Sequence, residues 1–83
     1  MEWKAVESSQ ISEVGFDPKT DTLGIRFKPT KHQTENGERG SEYQYTRVGP
    51  LLYKQLVEAE SVGSFFGQNI KNHPEHYPYT KVS

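Results

Sequence analysis

The chain has 83 residues, with 10 Lys plus Arg against 11 Asp plus Glu and a formal charge of -1. That length excludes a multidomain enzyme. Hydrophobic residues make up 31% and mean hydropathy is -0.90, so the 12% of aromatic residues must supply much of the core area. Without cysteine, neither disulfides nor thiolate metal sites reinforce a domain that buries only about 60% of its unfolded surface, and a homo-oligomer is expected. The segment Met1-Glu2-Trp3-Lys4-Ala5-Val6-Glu7 lacks the apolar run of a secretory signal, which predicts a cytoplasmic protein. No run of about 18 apolar residues occurs, which rules out a transmembrane helix and predicts no membrane partner. Near-neutral charge argues against strong duplex DNA binding, whose affinity comes mainly from neutralising phosphates.

In chain order, Ala5-Val6-Glu7-Ser8 reads as a short strand or an extended lead-in, with Ser8-Ser9 marking a break before Ile11. Val14-Gly15-Phe16 leads into Asp17-Pro18-Lys19-Thr20-Asp21, where proline presets its backbone angle and aspartate side chains accept from nearby amides. The clearest strand follows over 22–28, because Leu23, Ile25 and Phe27 alternate with small or charged residues. The two strands and the turn predict a β-hairpin. Residues 29–40 hold no aliphatic or aromatic side chain and predict a mobile, solvated loop.

Alternation resumes over 42–48, placing Tyr43, Tyr45 and Arg47 on one face and Gln44 and Thr46 on the other. This strand is expected to pair with 22–28. Gly49-Pro50 suits a helix start, since proline at the first helical position gives up an amide that has no partner there. In the predicted helix over 51–60, Leu52, Leu56 and Ala59 share a face, flanked by Tyr53 and Val57. Gly63 is expected to end it, and Ser64 to cap a second short helix through Phe65, Phe66 and Ile70. Pro74 and Pro78 stop that helix, so the tail over 73–83 is expected to be extended, with an edge strand in its last residues.

Ser8-Ser9-Gln10-Ile11, Val14-Gly15-Phe16-Asp17, Leu23-Gly24-Ile25-Arg26-Phe27, Tyr43-Gln44-Tyr45, Val48 and the run from Ala59 to Lys71 together resemble the KTSC domain. This family takes its name from the C-terminal segment of some lysyl-tRNA synthetases and also occurs as small standalone proteins of bacteria, archaea and phages. The resemblance implies a single domain over 1–83 with an α+β, Sm-like fold: a small, strongly bent antiparallel sheet of 4–5 strands followed by one or two short helices. Where family members turn tightly after the strand matching 22–28, this chain carries the polar stretch 29–40 as an insertion. Sm-like folds often assemble through strand edges and bind RNA or nucleotides, which is an analogy at the level of fold.

Several groups of residues invite chemistry. His73, Glu75 and His76 are of metal-ligand type, but Pro74 breaks any helical spacing and no further ligand lies nearby, so neither metal nor cofactor is expected. Ser8, Ser9 or Ser61 with His32, His73 or His76 would make a nucleophile and base. The Ser61 hydroxyl is better explained as a cap on backbone amides, and the chain carries no nucleophile elbow, phosphate-binding loop or dinucleotide fingerprint. Aromatic and basic residues are the stronger signal: Tyr45 and Tyr53 are candidates to stack on a base, and Arg47 and Lys71 to meet phosphate. At least one of Tyr43 and Tyr45 is expected to be buried for want of aliphatic core, and one of Phe65 and Phe66 to stay partly exposed.

These residues predict a non-enzymatic binding module for RNA or a small nucleotide. One alternative is a phage or prophage protein, acting in the host cytoplasm, that sequesters a nucleotide second messenger. Another is a protein-interaction adaptor using an exposed strand edge and the 29–40 loop.

Overall fold

The protein is described here by a computed structural model covering residues 1–82. The chain forms five strands: β1 (Glu2–Ala5), β2 (Ile11–Asp17), β3 (Thr22–Phe27), β4 (Glu42–Tyr45) and β5 (Tyr79–Lys81). They make one sheet in the order β1-β2-β3-β4-β5, and every neighbouring pair is antiparallel. With helices α1 (Lys31–Glu35), α2 (Pro50–Glu58) and α3 (Val62–Phe66), the fold is α+β, as expected.

The β2–β3 hairpin centres the sheet, pairing Phe16 with Leu23 and Val14 with Ile25. Its turn closes as the composition predicts, with the Lys19 amide donating to Asp17 Oδ1 at 3.0 Å. A register shift between Ile11 and Glu13 then bends β2. Ile11 and Val14 have opposite parity and would face opposite sides of a regular strand, yet both are fully buried, because the extra residue turns Ile11 back toward the core.

The core lies between this inner face and the helices. Leu23 and Ile25 meet Val48, Leu56 of α2 and Ile70, all with no exposed surface. Each contributes about 1.5–3 kcal/mol by leaving water. Pro50 takes the first turn of α2 behind Gly49, and Ser61 Oγ accepts from the Ser64 amide at 3.3 Å to cap α3, as its hydroxyl predicts. A π-helical turn over Gly67–Lys71 follows directly and brings Ile70 into the core beside Phe66. Phe66 is buried, whereas Phe65 stays half-exposed.

Five local expectations are corrected. The first strand lies at Glu2–Ala5 rather than over 5–8, because the hydrogen bonds of β2 reach back to Trp3 and Lys4. The polar stretch 29–40 is not an irregular loop throughout: Lys31–Glu35 is helical, entered by a reciprocal cap in which Thr30 Oγ1 accepts from the Gln33 amide and Gln33 Oε1 accepts from the Thr30 amide. None of its residues is buried, so composition correctly foretells the solvation. Gly63 sits inside α3 and does not end α2, which stops at Glu58 as Ala59 turns extended; the cap of α3 is accordingly Ser61, not Ser64. The tail is not extended from 73, since the His76 and Tyr77 amides both fold back to the His73 carbonyl before β5 begins at Tyr79. Ser83, the last residue of that tail, lies outside the described residues.

The fifth correction concerns Arg47. β4 ends at Tyr45, and Arg47 takes a left-handed backbone at φ 62°. This reverses the alternation, so Val48 is buried and Arg47 is exposed to solvent instead of sharing the tyrosine face.

The opposite face of the sheet is covered by a side chain from its own edge. Trp3 pairs with Gly15, which pairs with Gly24, and the indole lies across this glycine path with the Arg26 guanidinium 3.8 Å above its ring. Glu42 and Glu13 hold Arg26 at 2.9 and 3.4 Å, and these ion pairs hold its protonation more tightly, with the Glu42 hydrogen bond leading. A Cβ at Gly24 would come within 2.6 Å of Trp3 Cη2. Gly24→Val is therefore expected to displace the indole and cost about 1–3 kcal/mol, despite the better strand propensity of valine. The chain has one tryptophan, so a red-shifted emission together with a lower melting temperature is the expected reading. Unchanged emission would refute it.

Candidate functional site

The register across β3, β4 and β5 gathers aromatic residues that are far apart in the chain. Leu23 opposes Tyr45, which opposes Tyr79, while Ile25 opposes Tyr43, so the tyrosines of two strands share the inner face beyond the aliphatic core. Phe27, two residues past Ile25, joins them. Tyr45 packs edge-on against Phe66 with centroids 5.1 Å apart, Phe27 stands nearly perpendicular to Tyr43 at 5.7 Å, and Tyr79 tilts against Tyr45 at 5.7 Å. Tyr45 is 4% exposed and Tyr79 57%. Burial thus holds one tyrosine as foundation while its cross-strand neighbour keeps a face open to solvent.

Phe27, Tyr43, Tyr45 and Tyr79 floor an open cleft of about 750 Å³. One wall comes from the 29–40 segment through Pro29, Thr30 and Gln33, the last two fixed by their reciprocal cap. Lys71, at the end of the π-helical turn, and Pro74 stand on another side, and Lys28 lines the cleft at the exit of β3. Among the described residues the lining contains two lysines and no carboxylate, in a chain whose acidic residues outnumber its basic ones. Such a surface favours an anion that carries a flat, stackable group.

The Tyr45 hydroxyl is pushed up to about 12, first by burial and then by Tyr43 and Tyr79 beside it. A raised tyrosine pKa means that the fold prefers the protonated form, so this stabilisation is complete below pH 10.0 and is lost as pH rises toward about 12. Stability should fall in that window by about 1.4 kcal/mol per pH unit from this group, and Tyr45→Phe should remove that part of the slope. Urea midpoints of both proteins at rising pH check this, and parallel curves would contradict it.

Of the four candidate site residues, the structure brings Tyr45 and Lys71 together in the cleft. Tyr53 is elsewhere, on α2, stacked against Phe16 at 4.9 Å and 13°, with its hydroxyl pKa raised by burial and then by Glu2. Arg47 lies in the β4–α2 connection, outside the cleft lining. Tyr79, Phe27 and Lys28 also line the cleft and are not among the candidates the sequence offers. The alternation Tyr79-Thr80-Lys81 marks a strand, but only pairing with β4 shows where its tyrosine lies.

The other candidate groups do not assemble into a centre. Glu75 Oε1 lies 3.5 Å from His73 Nδ1 and 3.8 Å from His76 Nε2, and its carboxyl is held low by its own backbone amide and, with partial opposition from desolvation, by His73. Among the described residues no group of three or more His, Asp or Glu is placed to hold a metal ion. Ser8 Oγ accepts from the Gln10 and Ile11 amides, each at 3.2 Å, and Ser61 Oγ serves as the α3 cap. Among the described residues no helix is long and apolar enough to cross a membrane.

A profile described as KTSC domain matches residues 7–77, which contain β2 to α3 and most of the cleft. The chain belongs to the KTSC domain family. It is 32% identical over 78 residues to an uncharacterized protein of Stutzerimonas stutzeri (strain A1501), covering 94% of this chain and 93% of that one. A protein of Tsukamurella paurometabola is 35% identical over 66 residues, covering 80% and 84%. The crystal structure of a KTSC domain protein from Yersinia pestis superposes with a TM-score of 0.78 at 29% identity, over 99% of this chain and 97% of that one.

Proposed function

We propose that this protein is a non-catalytic binding module whose ligand carries a nucleotide, either RNA or a small nucleotide. One observation carries the reading: the aromatic floor of Phe27, Tyr43, Tyr45 and Tyr79 is joined by Lys28 and Lys71 and, among the described residues, by no carboxylate. A base stacks on an exposed tyrosine face whatever its identity, and the lysines neutralise the attached phosphate. The cleft volume of about 750 Å³ lies within the range of small-ligand sites, and its open shape also admits a segment of single strand. Duplex is disfavoured because its bases are stacked on one another and are not free to lie on the floor.

Thermal-shift measurements against mononucleotides, cyclic nucleotides and short single-stranded RNA test the reading. A true ligand raises the melting temperature as its concentration exceeds Kd, since it binds only the folded chain. If none of these compounds moves the transition, the reading is wrong.

A further inference from the structure

Beside the aromatic cleft lies a second concavity, of about 390 Å³ and different chemistry. Ser8, Ser61, Ser64, Gln68 and Asn72 line it, together with Gly63 and Gly67, and among the described residues none of its lining is charged. Gly63 and Gly67 are one helical turn apart, so their missing side chains open the same face. The helix thereby approaches Ser8 closely: a Cβ at Gly63 would come within 3.0 Å of Ser8 Oγ.

The groove and the cleft are continuous. Ser9 and Gln10 line both, and the basic rim of the cleft at Lys71 is followed in sequence by Asn72 of the groove. The Ser8 and Ser61 oxygens already accept from backbone amides, which leaves their O–H protons to donate. Ser64, Gln68 and Asn72 are exposed and offer a hydroxyl and two carboxamides. Neutral groups that both donate and accept suit sugar hydroxyls and base edges, whereas phosphate calls for the lysines next door.

We propose that the groove is a second nucleotide subsite, which makes the ligand a single-stranded ribo-oligonucleotide of at least two nucleotides. One base stacks on the tyrosine floor, the linking phosphate lies at Lys71, and the next nucleotide sets its 2′-hydroxyl and base edge among the serines, Gln68 and Asn72. The 2′-hydroxyl both donates and accepts, so this lining distinguishes RNA from DNA. The inference rests on the nucleotide-binding reading of the cleft.

Calorimetric titration of the full chain with AMP, the ribodinucleotide pApA and its deoxy counterpart separates the two ideas. AMP reports the cleft alone. The ribodinucleotide is expected to bind at least about tenfold more tightly than AMP, and the deoxy form to lose the share of that gain that the 2′-hydroxyl bonds supply, roughly 2- to 12-fold. Gly67→Leu should abolish the gain by filling the groove, with AMP measured on the same variant as reference. That variant is expected to fold, because Gly67 has helical angles of φ -60° and ψ -44° and a Cβ there meets nothing within 4 Å. Equal affinities for AMP and pApA, or a gain that survives Gly67→Leu, overturn the second subsite while leaving the cleft intact. No binding by any of the three compounds overturns both.

Discussion

Phe66→Ala is expected to remove a large share of the stability of this fold. The Phe66 ring is 2% exposed, meets Tyr45 edge-on at 5.1 Å and lies 5.9 Å from Phe27, so it joins the helical layer to the cleft floor. Truncating a buried phenylalanine costs about 3–5 kcal/mol in lost transfer energy and residual cavity. A domain of this length has roughly 4–12 kcal/mol in total, at about 0.05–0.15 kcal/mol per residue. The melting temperature should fall on the order of 15–30 °C, measured by circular dichroism. Phe65→Ala is the control: its ring is half-exposed, and truncation should cost about 1 kcal/mol. Equal losses at the two positions would refute the assignment of Phe66 as the joint between layers.

Tyr79→Ala should have the opposite profile, with little loss of stability and a large loss of binding. Tyr79 belongs to a short edge strand and is 57% exposed, so its removal leaves the core layer intact. Loss of a stacking partner costs about 1–3 kcal/mol per base, or roughly 5- to 150-fold in Kd. Lys71→Ala should weaken binding and lower the slope of log affinity against log salt by about 0.7, as the loss of one phosphate contact on a single strand requires. Fluorescence anisotropy with labelled oligoadenylate RNA reads both effects. Arg47→Ala is the discriminating variant, because the left-handed turn directs that side chain away from the cleft. A loss at Arg47 equal to that at Lys71 would move the site to the β4–α2 connection and end the present reading.

How far the site was legible in sequence depends on the distance over which each signal acts. The positions of Lys71 and Tyr45 in the cleft are foreshadowed in sequence because each sits at an element end or on a strand whose periodicity is visible within a few residues. The same rule places Arg47 on the wrong face, since alternation carries no information about the single residue where the backbone turns left-handed. The signature of helix α1, Thr30 followed by Gln33, lies in the sequence, but its lack of any apolar stripe hides the helix from a periodicity reading. Tyr79 escapes a local reading for a deeper reason. Its strand pairs with β4 only after α2, α3 and two turns have reversed the chain, and no local pattern specifies that return.

The sequence by itself determined the central hairpin, the proline-led start of α2, the scarcity of aliphatic core and the family to which the chain belongs. These follow from steric preferences and hydrophobic periods acting over a few residues, or from the order of the matching segments. Tertiary structure alone decided which aromatic residues became foundation and which stayed open, and that Lys28 and Lys71 flank the same floor. Burial is a property of neighbours, and the neighbours of Tyr45 come from β3, β5 and α3, which only the completed sheet and its helical cover bring together.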